Sequence, residues 1–351
     1  MKINSLMPAV YCVHALLLLC VLATVSTASR AEKRVFDMTI EDTRINLVGN
    51  RDFHTFAFDG QVPGPLIHVK EGDEVTVNVT NMTTLPHTIH WHGMLQRGTW
   101  QNDGVPGTTQ EAIKPGDTYT YQFVAEPAGT MWYHCHVNVN EHVTMRGMWG
   151  PLIVEPKNPA PIEKKVTKDL IMMFSDWASK WASKPGEGGI PGDVFDYFTI
   201  NGKSFPDTQP IRVKKGDVVR LRLIGSGDEF HSIHIHGHIA LVAFKDGLPL
   251  AHPYQGDTFV VGPGERYDLI INMDNPGLWM VHDHVDTHTT NGDKPMGGIM
   301  TTIEYQEVGT DYPFYEWKDK KFMPDFYYEA SLAKPHGIHR SKVFKGELIE
   351  E

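Results

Sequence analysis

The chain has 351 residues, enough for about two domains of ordinary size with ample buried core. Its 32 basic side chains against 43 acidic ones leave a net charge of -11. Such a balance does not favour binding to nucleic acid or to an anionic membrane surface.

Residues 1–31 read as an export signal: Lys2 precedes an apolar run from Ala9 to Val25, and Ser26-Thr27-Ala28 offers small residues for cleavage. The run is long for a signal, which leaves an uncleaved anchor as the alternative. Cleavage would place the protein outside the cytoplasm, secreted or periplasmic, with no stable membrane insertion. Cys12 and Cys20 would leave with the signal, so Cys135 is the one thiol of the mature chain. An exported protein with no internal disulfide, and a thiol flanked by two histidines, is better explained by a metal ligand than by a structural thiol.

Beyond the signal the pattern is that of an all-β chain, with alternating runs broken by Gly and Pro. Val75, Val77 and Val79 alternate with polar residues over Glu74 to Thr80, as in a strand with one buried face. The alternation recurs at Val219, Leu221 and Leu223 around Arg220 and Arg222. At an offset of 144, His87-Thr-Ile-His90-Trp-His92-Gly falls on His231-Ser-Ile-His234-Ile-His236-Gly; at 148, His134-Cys135-His136 falls on His282-Asp283-His284. Two homologous β-domains follow, 33–157 and 166–308, joined by a Pro- and Lys-rich linker at 158–165. Ser175 to Asp193 is expected to form a short helix plus loop, and 309–351 a C-terminal extension packed as an arm. Asn78-Val-Thr80 and Asn81-Met-Thr83 are glycosylation acceptors only in a eukaryotic host.

Thirteen of the nineteen histidines fall into four short clusters, which chance placement would scatter. The stretch from Trp132 to Met148 holds the densest. If it enters as a strand, His134 and His136 point to one face and Cys135 to the other, so one ribbon can serve two metal sites. Cys135, His142, Met148 and a further histidine make the two-imidazole, one-thiolate, weak-thioether set that suits an electron-transferring blue copper. His87 lies three residues before His90, has the opposite parity, and can point inward beside Cys135. The four His-x-His pairs offer eight nitrogen ligands, which suits a copper cluster; a zinc ion would use half of them. In the second repeat Cys135 maps to Asp283 and His142 to Thr290, so no blue centre can form there, and His231, Asp283, His288 and Met296 read as remnants of a lost site. Met131, Met145, Met280 and Met300 near the clusters read as core fillers.

His-Trp-His-Gly, His-Cys-His followed by His and Met, His-Ile-His-Gly-His and His-Asp-His together resemble the multicopper oxidases, in particular the two-domain, laccase-like members with the blue copper in the first domain. The resemblance covers the mature chain to about Tyr305. It implies two cupredoxin-like Greek-key β-sandwich domains, assembled as a homotrimer in which domain one of a chain meets domain two of the next. It further implies about four copper ions per chain. His87, Cys135, His142 and Met148 would hold a type-1 copper, and His90 and His234 a type-2 copper. His92, His134, His136, His236, His282 and His284 would hold a type-3 pair, and Cys135, His134 and His136 the electron path. Asp103 stands where the family has an acid near the type-2 copper, a proton relay for oxygen reduction. The implied reaction couples one-electron oxidation of a phenolic or aromatic amine donor to four-electron reduction of dioxygen to water. The loop between His136 and His142 is longer than in most laccases, which leaves the donor open. Copper nitrite reductase, a cuprous-ion oxidase and a copper-sequestering protein are the competing readings; nitrite reductase needs only one catalytic copper beside the blue one.

Overall fold

A computed structural model describes residues 31–182, 194–308, 337–340 and 345–348. The signal expected at 1–31 and most of the extension at 309–351 therefore lie outside the described residues. Within them no helix is long and apolar enough to cross a membrane.

The first half of the chain supplies β1 (Lys33–Val48), β2 (Arg51–Phe58), β3 (Leu66–Lys70), β4 (Glu74–Asn81), β5 (His90–His92), β6 (Thr118–Val124), β7 (Gly129–His134) and β8 (Trp149–Glu155). They form two sheets, β2-β1-β4-β6 and β3-β8-β7-β5, packed face to face. Strand β4 shows why: Val75, Val77 and Val79 are buried while the residues between them are not. Trp91, Tyr133 and Trp149, from three strands of the second sheet, are fully buried in the same core. The pairing is mixed, with β1 parallel to β4 and β3 parallel to β8.

The second half repeats the plan. It contributes β9 (Lys168–Trp177), β10 (Tyr197–Ile200), β11 (Ile211–Val213), β12 (Val218–Gly225), β13 (His231–Ile235), β14 (Ala240–Lys245), β15 (Leu248–Gly256), β16 (Thr258–Val261), β17 (Arg266–Asn272), β18 (Leu278–Asp283), β19 (Thr290–Asn291), β20 (Lys294–Pro295) and β21 (Met300–Tyr305). One sheet runs β15-β14-β17-β12-β9-β10-β19-β20 and the other β11-β21-β18-β13-β16, around a core of their own. The parallel pairs recur as β9 with β12 and β11 with β21. The chain is thus predominantly β, with two cupredoxin-like sandwiches. Two described pieces of the extension pack back on the first: β22 (Gly337–His339) pairs with β3 and β23 (Glu347–Leu348) with β1.

Two expectations need correction. No helix begins at Ser175: that residue lies in β9, which runs on to Trp177 because β10 pairs with it, and only a single 3-10 turn, Ser179–Trp181, follows. Residues 183–193 lie outside the described set. The alternation in β12 also does not mark a solvent face, since Arg220 and Arg222 are each 1% exposed. The other sandwich covers that side of the sheet, so the two guanidiniums are buried and paired. Arg222 Nε and Nη2 donate to Asp169 at 2.7 and 2.8 Å, and Arg220 donates to Asp268 and, at 3.0 Å, to Glu163.

This network clamps the start of β7. Thr130 Oγ1 donates to Asp268 at 2.6 Å and accepts from Arg222 Nη1 at 2.7 Å, while Arg266 Nε donates to the Thr130 carbonyl at 3.2 Å. The backbones meet so closely that a Cβ on Gly129 would lie 2.2 Å from the Gly247 carbonyl oxygen. Burial alone would raise the Asp268 carboxyl, but Arg220 and Arg222 outweigh it and hold the group below the usual carboxylate range. Removing one member of such a network strands the opposite charge in a dry interior. Asp268→Ala is therefore expected to cost about 3–5 kcal/mol of stability, read as a lower urea midpoint at unchanged slope.

Candidate metal centres

Strand β7 ends at His134, and the next residue turns its side chain to the opposite face. Cys135 is fully buried, with its Sγ 3.7 Å from His87 Nδ1 and 3.5 Å from His142 Nδ1. Both imidazoles are aimed from behind. The far nitrogen of His87 bonds Thr83 Oγ1 at 2.8 Å, and Phe56 packs its ring against both histidines. Thr83 is itself fixed by Asn81, whose side chain accepts from the Thr83 hydroxyl and donates to the carbonyls of Leu85 and Ile113. Asn81 is fully buried, so of the two glycosylation signals only Asn78 lies near the surface.

His142 arrives on a single π-helical turn, Asn140–Met145, which takes up the extra length of the loop. Buried Arg146 secures that turn: it pairs with Glu141 and donates from Nη1 to the carbonyls of His54 and Trp181 at 3.1 and 2.7 Å. Met148 is fully buried and tied to both partners, its N–H donating to the His142 carbonyl and its carbonyl accepting from Cys135 N–H. Burial, then Arg146, pulls the His142 pKa down to about 4, and burial pushes the Cys135 thiol up to about 11. Two neutral imidazoles and a thiol that needs a cation to ionise at neutral pH form a donor set that fits copper.

On the other face, the ligand atoms of His90, His92 and His134 lie within 4.8 Å of one another. His136 joins them, its ring 5.5 Å from that of His90 and 5.9 Å from that of His134. In the second sandwich His236 Nε2 lies 3.1 Å from His282 Nε2, and the His234 and His284 rings are 5.8 Å apart. Cross-strand register produces both groups: His90 sits opposite His134, and His234 opposite His282. The far sides match as well. His90 Nδ1 donates to the Asp103 carbonyl at 2.7 Å and His234 Nδ1 to that of Asp257 at 3.0 Å. His134 and His282 each donate from Nδ1 to the carbonyl of the next residue, at 2.8 and 2.7 Å. Fixing Nδ1–H leaves Nε2 of these four rings as the metal-facing lone pair, the orienting arrangement typical of ligating histidines. Among the described residues, no hydrogen bond or ring contact joins the first group to the second.

Asp103 lies beside His90, its carboxylate Oδ1 3.4 Å from Nδ1 and about a third exposed. Its loop hugs β5: Gly104, at φ +85°, would carry a Cβ 1.8 Å from the Ile89 carbonyl oxygen, so only glycine fits. Asp257 plays the matching part beside His234. It orients its histidine through a backbone carbonyl, which no side-chain type signals, and it lies 23 residues past His234 where Asp103 lies 13 past His90.

Three of the four residues expected at the corresponding place in the second sandwich come together: His288, two residues before the offset position Thr290, donates from Nδ1 to Asp283 Oδ2 at 2.9 Å, and His231 Nδ1 does the same at 2.9 Å. Met296 is exposed and takes no part. Burial would lower the His231 pKa, but Asp176 and Asp283 outweigh it and raise it to about 9.

Two multicopper oxidase family models match the chain, over residues 39–159 and 170–294. Among solved structures, blue copper oxidase from Nitrosomonas europaea is 81% identical with a TM-score of 0.89, covering 90% of this chain and 100% of that one. The multicopper oxidase mgLAC is 60% identical with a TM-score of 0.88, covering 91% and 100%. Laccase-2 of Botryotinia fuckeliana is 33% identical over 70% of this chain and 44% of its own length. The chain spans less than half the length of the curated relatives it matches.

The depressed and raised histidines act in opposite directions on the metal-free protein. His142 at about 4 and His92 at about 3 stay neutral in the fold, while the unfolded chain takes up their protons near pH 6.5. Stability is thus lost as pH falls from 6.5 toward those values. His231, raised to about 9, contributes stability that is complete below 6.5 and lost as pH rises to 9. Melting of copper-free protein across pH should show a maximum near pH 6.5 with a decline on both sides.

Proposed function

The chain belongs to the multicopper oxidase family of copper-dependent oxidoreductases, and from that premise we propose that it is a laccase-like oxidase of phenolic or aromatic amine donors with dioxygen as acceptor. The observation that carries this reading is the duplicated register, His90 opposite His134 and His234 opposite His282, with Cys135 joining the first half-site to a buried thiol site. His87, Cys135, His142 and Met148 would hold the type-1 copper. His90 and His234 would hold the type-2 ion, and His92, His134, His136, His236, His282 and His284 the type-3 pair, about four ions per chain. When bound, copper supplies one-electron oxidation at the thiolate site and four-electron reduction of dioxygen to water at the three-ion site.

The protein's own part is geometric. Cys135 connects covalently to His134 and His136, so a short through-bond path links the two faces of one ribbon. The buried surroundings of Cys135 keep water from its sulfur. Asp103, beside His90 and reachable by solvent, would carry protons inward.

Each sandwich offers half of the nitrogen ligands, and among the described residues no hydrogen bond or ring contact joins the two halves. A head-to-tail ring of three copies would complete every cluster. Exposed Phe230, Val260 and Val285, near the second half-site, favour such a contact. Residues 1–31 support a location outside the cytoplasm.

Copper analysis of purified protein tests the reading directly. About four ions per chain, a blue type-1 absorption and oxygen uptake with a phenolic dye are expected; about two ions with nitrite reduction would replace the oxidase by a nitrite reductase. Asp103→Asn should lower turnover by about 10²-fold or more at neutral pH and leave the blue absorption unchanged.

A further inference from the structure

The first sandwich places a cysteine between two cluster histidines; the second places Asp283 there, between His282 and His284. Asp283 is 1% exposed, and all of its polar atoms are engaged. Oδ2 accepts from His231 Nδ1 and His288 Nδ1, both at 2.9 Å, and Oδ1 accepts from the N–H groups of Ser232 at 2.9 Å and Val285 at 3.0 Å. Its N–H donates to the Ile299 carbonyl at 3.0 Å, matching the bond from Cys135 N–H to Met148. Its own carbonyl accepts from His282 Nδ1 at 2.7 Å, and the next residue, His284, donates from N–H to the Ser232 carbonyl.

Behind this group lies a second carboxylate. Fully buried Asp176 accepts at Oδ2 from the N–H groups of Asp228 and Glu229, and its Oδ1 faces His231 Nε2 at 3.2 Å. Phe198 stacks on His288 at 4.2 Å, closing the remaining side. His231 lies between two carboxylates, Nδ1 2.9 Å from Asp283 and Nε2 3.2 Å from Asp176, so both ring nitrogens face acidic oxygens rather than an open metal position. With Met296 exposed and no thiolate present, the set differs from a blue copper site in two of its ligands.

We infer that Asp283 is the positioning residue of the second half-site: its four donors fix the end of β18 so that His282 and His284 are held on either side, the task that ligated Cys135 performs between His134 and His136. A buried ion-paired cluster stands where the first sandwich would carry a metal. The inference rests on the oxidase reading, since it concerns ligands of the proposed three-ion cluster. It predicts that damage at Asp283 is felt at the cluster and not at the thiolate site, because Asp283 ends β18 of the second sandwich whereas Cys135 lies in the core of the first.

The experiment compares copper-loaded wild type with Asp283→Asn, prepared identically as full chains. Asparagine keeps the size and loses the charge that both imidazoles share. Expected are a fall of about 10-fold or more in oxygen uptake, loss of copper and of the near-ultraviolet cluster absorption, and an unchanged type-1 blue band and paramagnetic signal. The donor's KM should not move. His288→Gln, which keeps the carboxylate and its other three donors, should show a smaller loss of the same kind, and it decides the matter if the first variant does not fold. Full turnover and full copper content in both variants would overturn the inference. So would release of a separate non-blue ion from Asp283→Asn with the cluster intact, which would make Asp283 a ligand. Failure of the oxidase reading itself would show in the wild type, as absence of the cluster signals before any substitution.

Discussion

Everything in this molecule depends on what happens at the end of β7, where consecutive side chains leave a strand on opposite faces. Period-two geometry lets Cys135 enter a dry core while His134 and His136 point to the opposite face, beside His90 and His92. A helix would put neighbouring residues about 100° apart and would bring no such division. Once Cys135 is committed to the interior, the rest is a matter of aiming. Thr83 turns His87, the π-helical turn secured by Arg146 brings in His142, and Met148 returns along the same backbone bonds.

The strand must also be held at its other end. Thr130, four residues before His134, lies inside a network of Arg220, Arg222, Asp169, Asp268 and Glu163 that no solvent reaches. Apolar packing could have joined the two sandwiches with less desolvation. Charged groups instead fix one register of one sandwich on the other, because a displaced guanidinium would lose bonds it cannot replace. The precision needed at the histidines is thereby supplied from the interface.

Much of this was legible in the residues. The offset repeat exposed two related sandwiches, and the spacing of His-x-His pairs exposed the half-sites, because both are consequences of strand periodicity. Legibility ended where burial is decided by a distant part of the chain. Arg220 and Arg222 carry the pattern of a wet strand face, and only the covering sandwich makes them interior. Asp257 acts through its carbonyl, which no side-chain type signals, and Met296, grouped with His231, Asp283 and His288 by its offset, is exposed. Ser175 to Trp177 opens the stretch 175–193 that is expected to form a helix plus loop; the partner strand β10, not local propensity, makes these first residues extended.

The aiming of His87 has a bearing on how the protein can be produced. Asn81, Met82 and Thr83 spell an attachment signal for N-linked sugar, and a secretory pathway that glycosylates reads such signals on chains not yet folded. The same Asn81 and Thr83 are sealed in the interior, hydrogen-bonded to each other and onward to the imidazole. An oligosaccharide there would have nowhere to go. Secretion from a host that glycosylates would thus yield a misassembled fraction, whereas a host without that machinery leaves the asparagine bare.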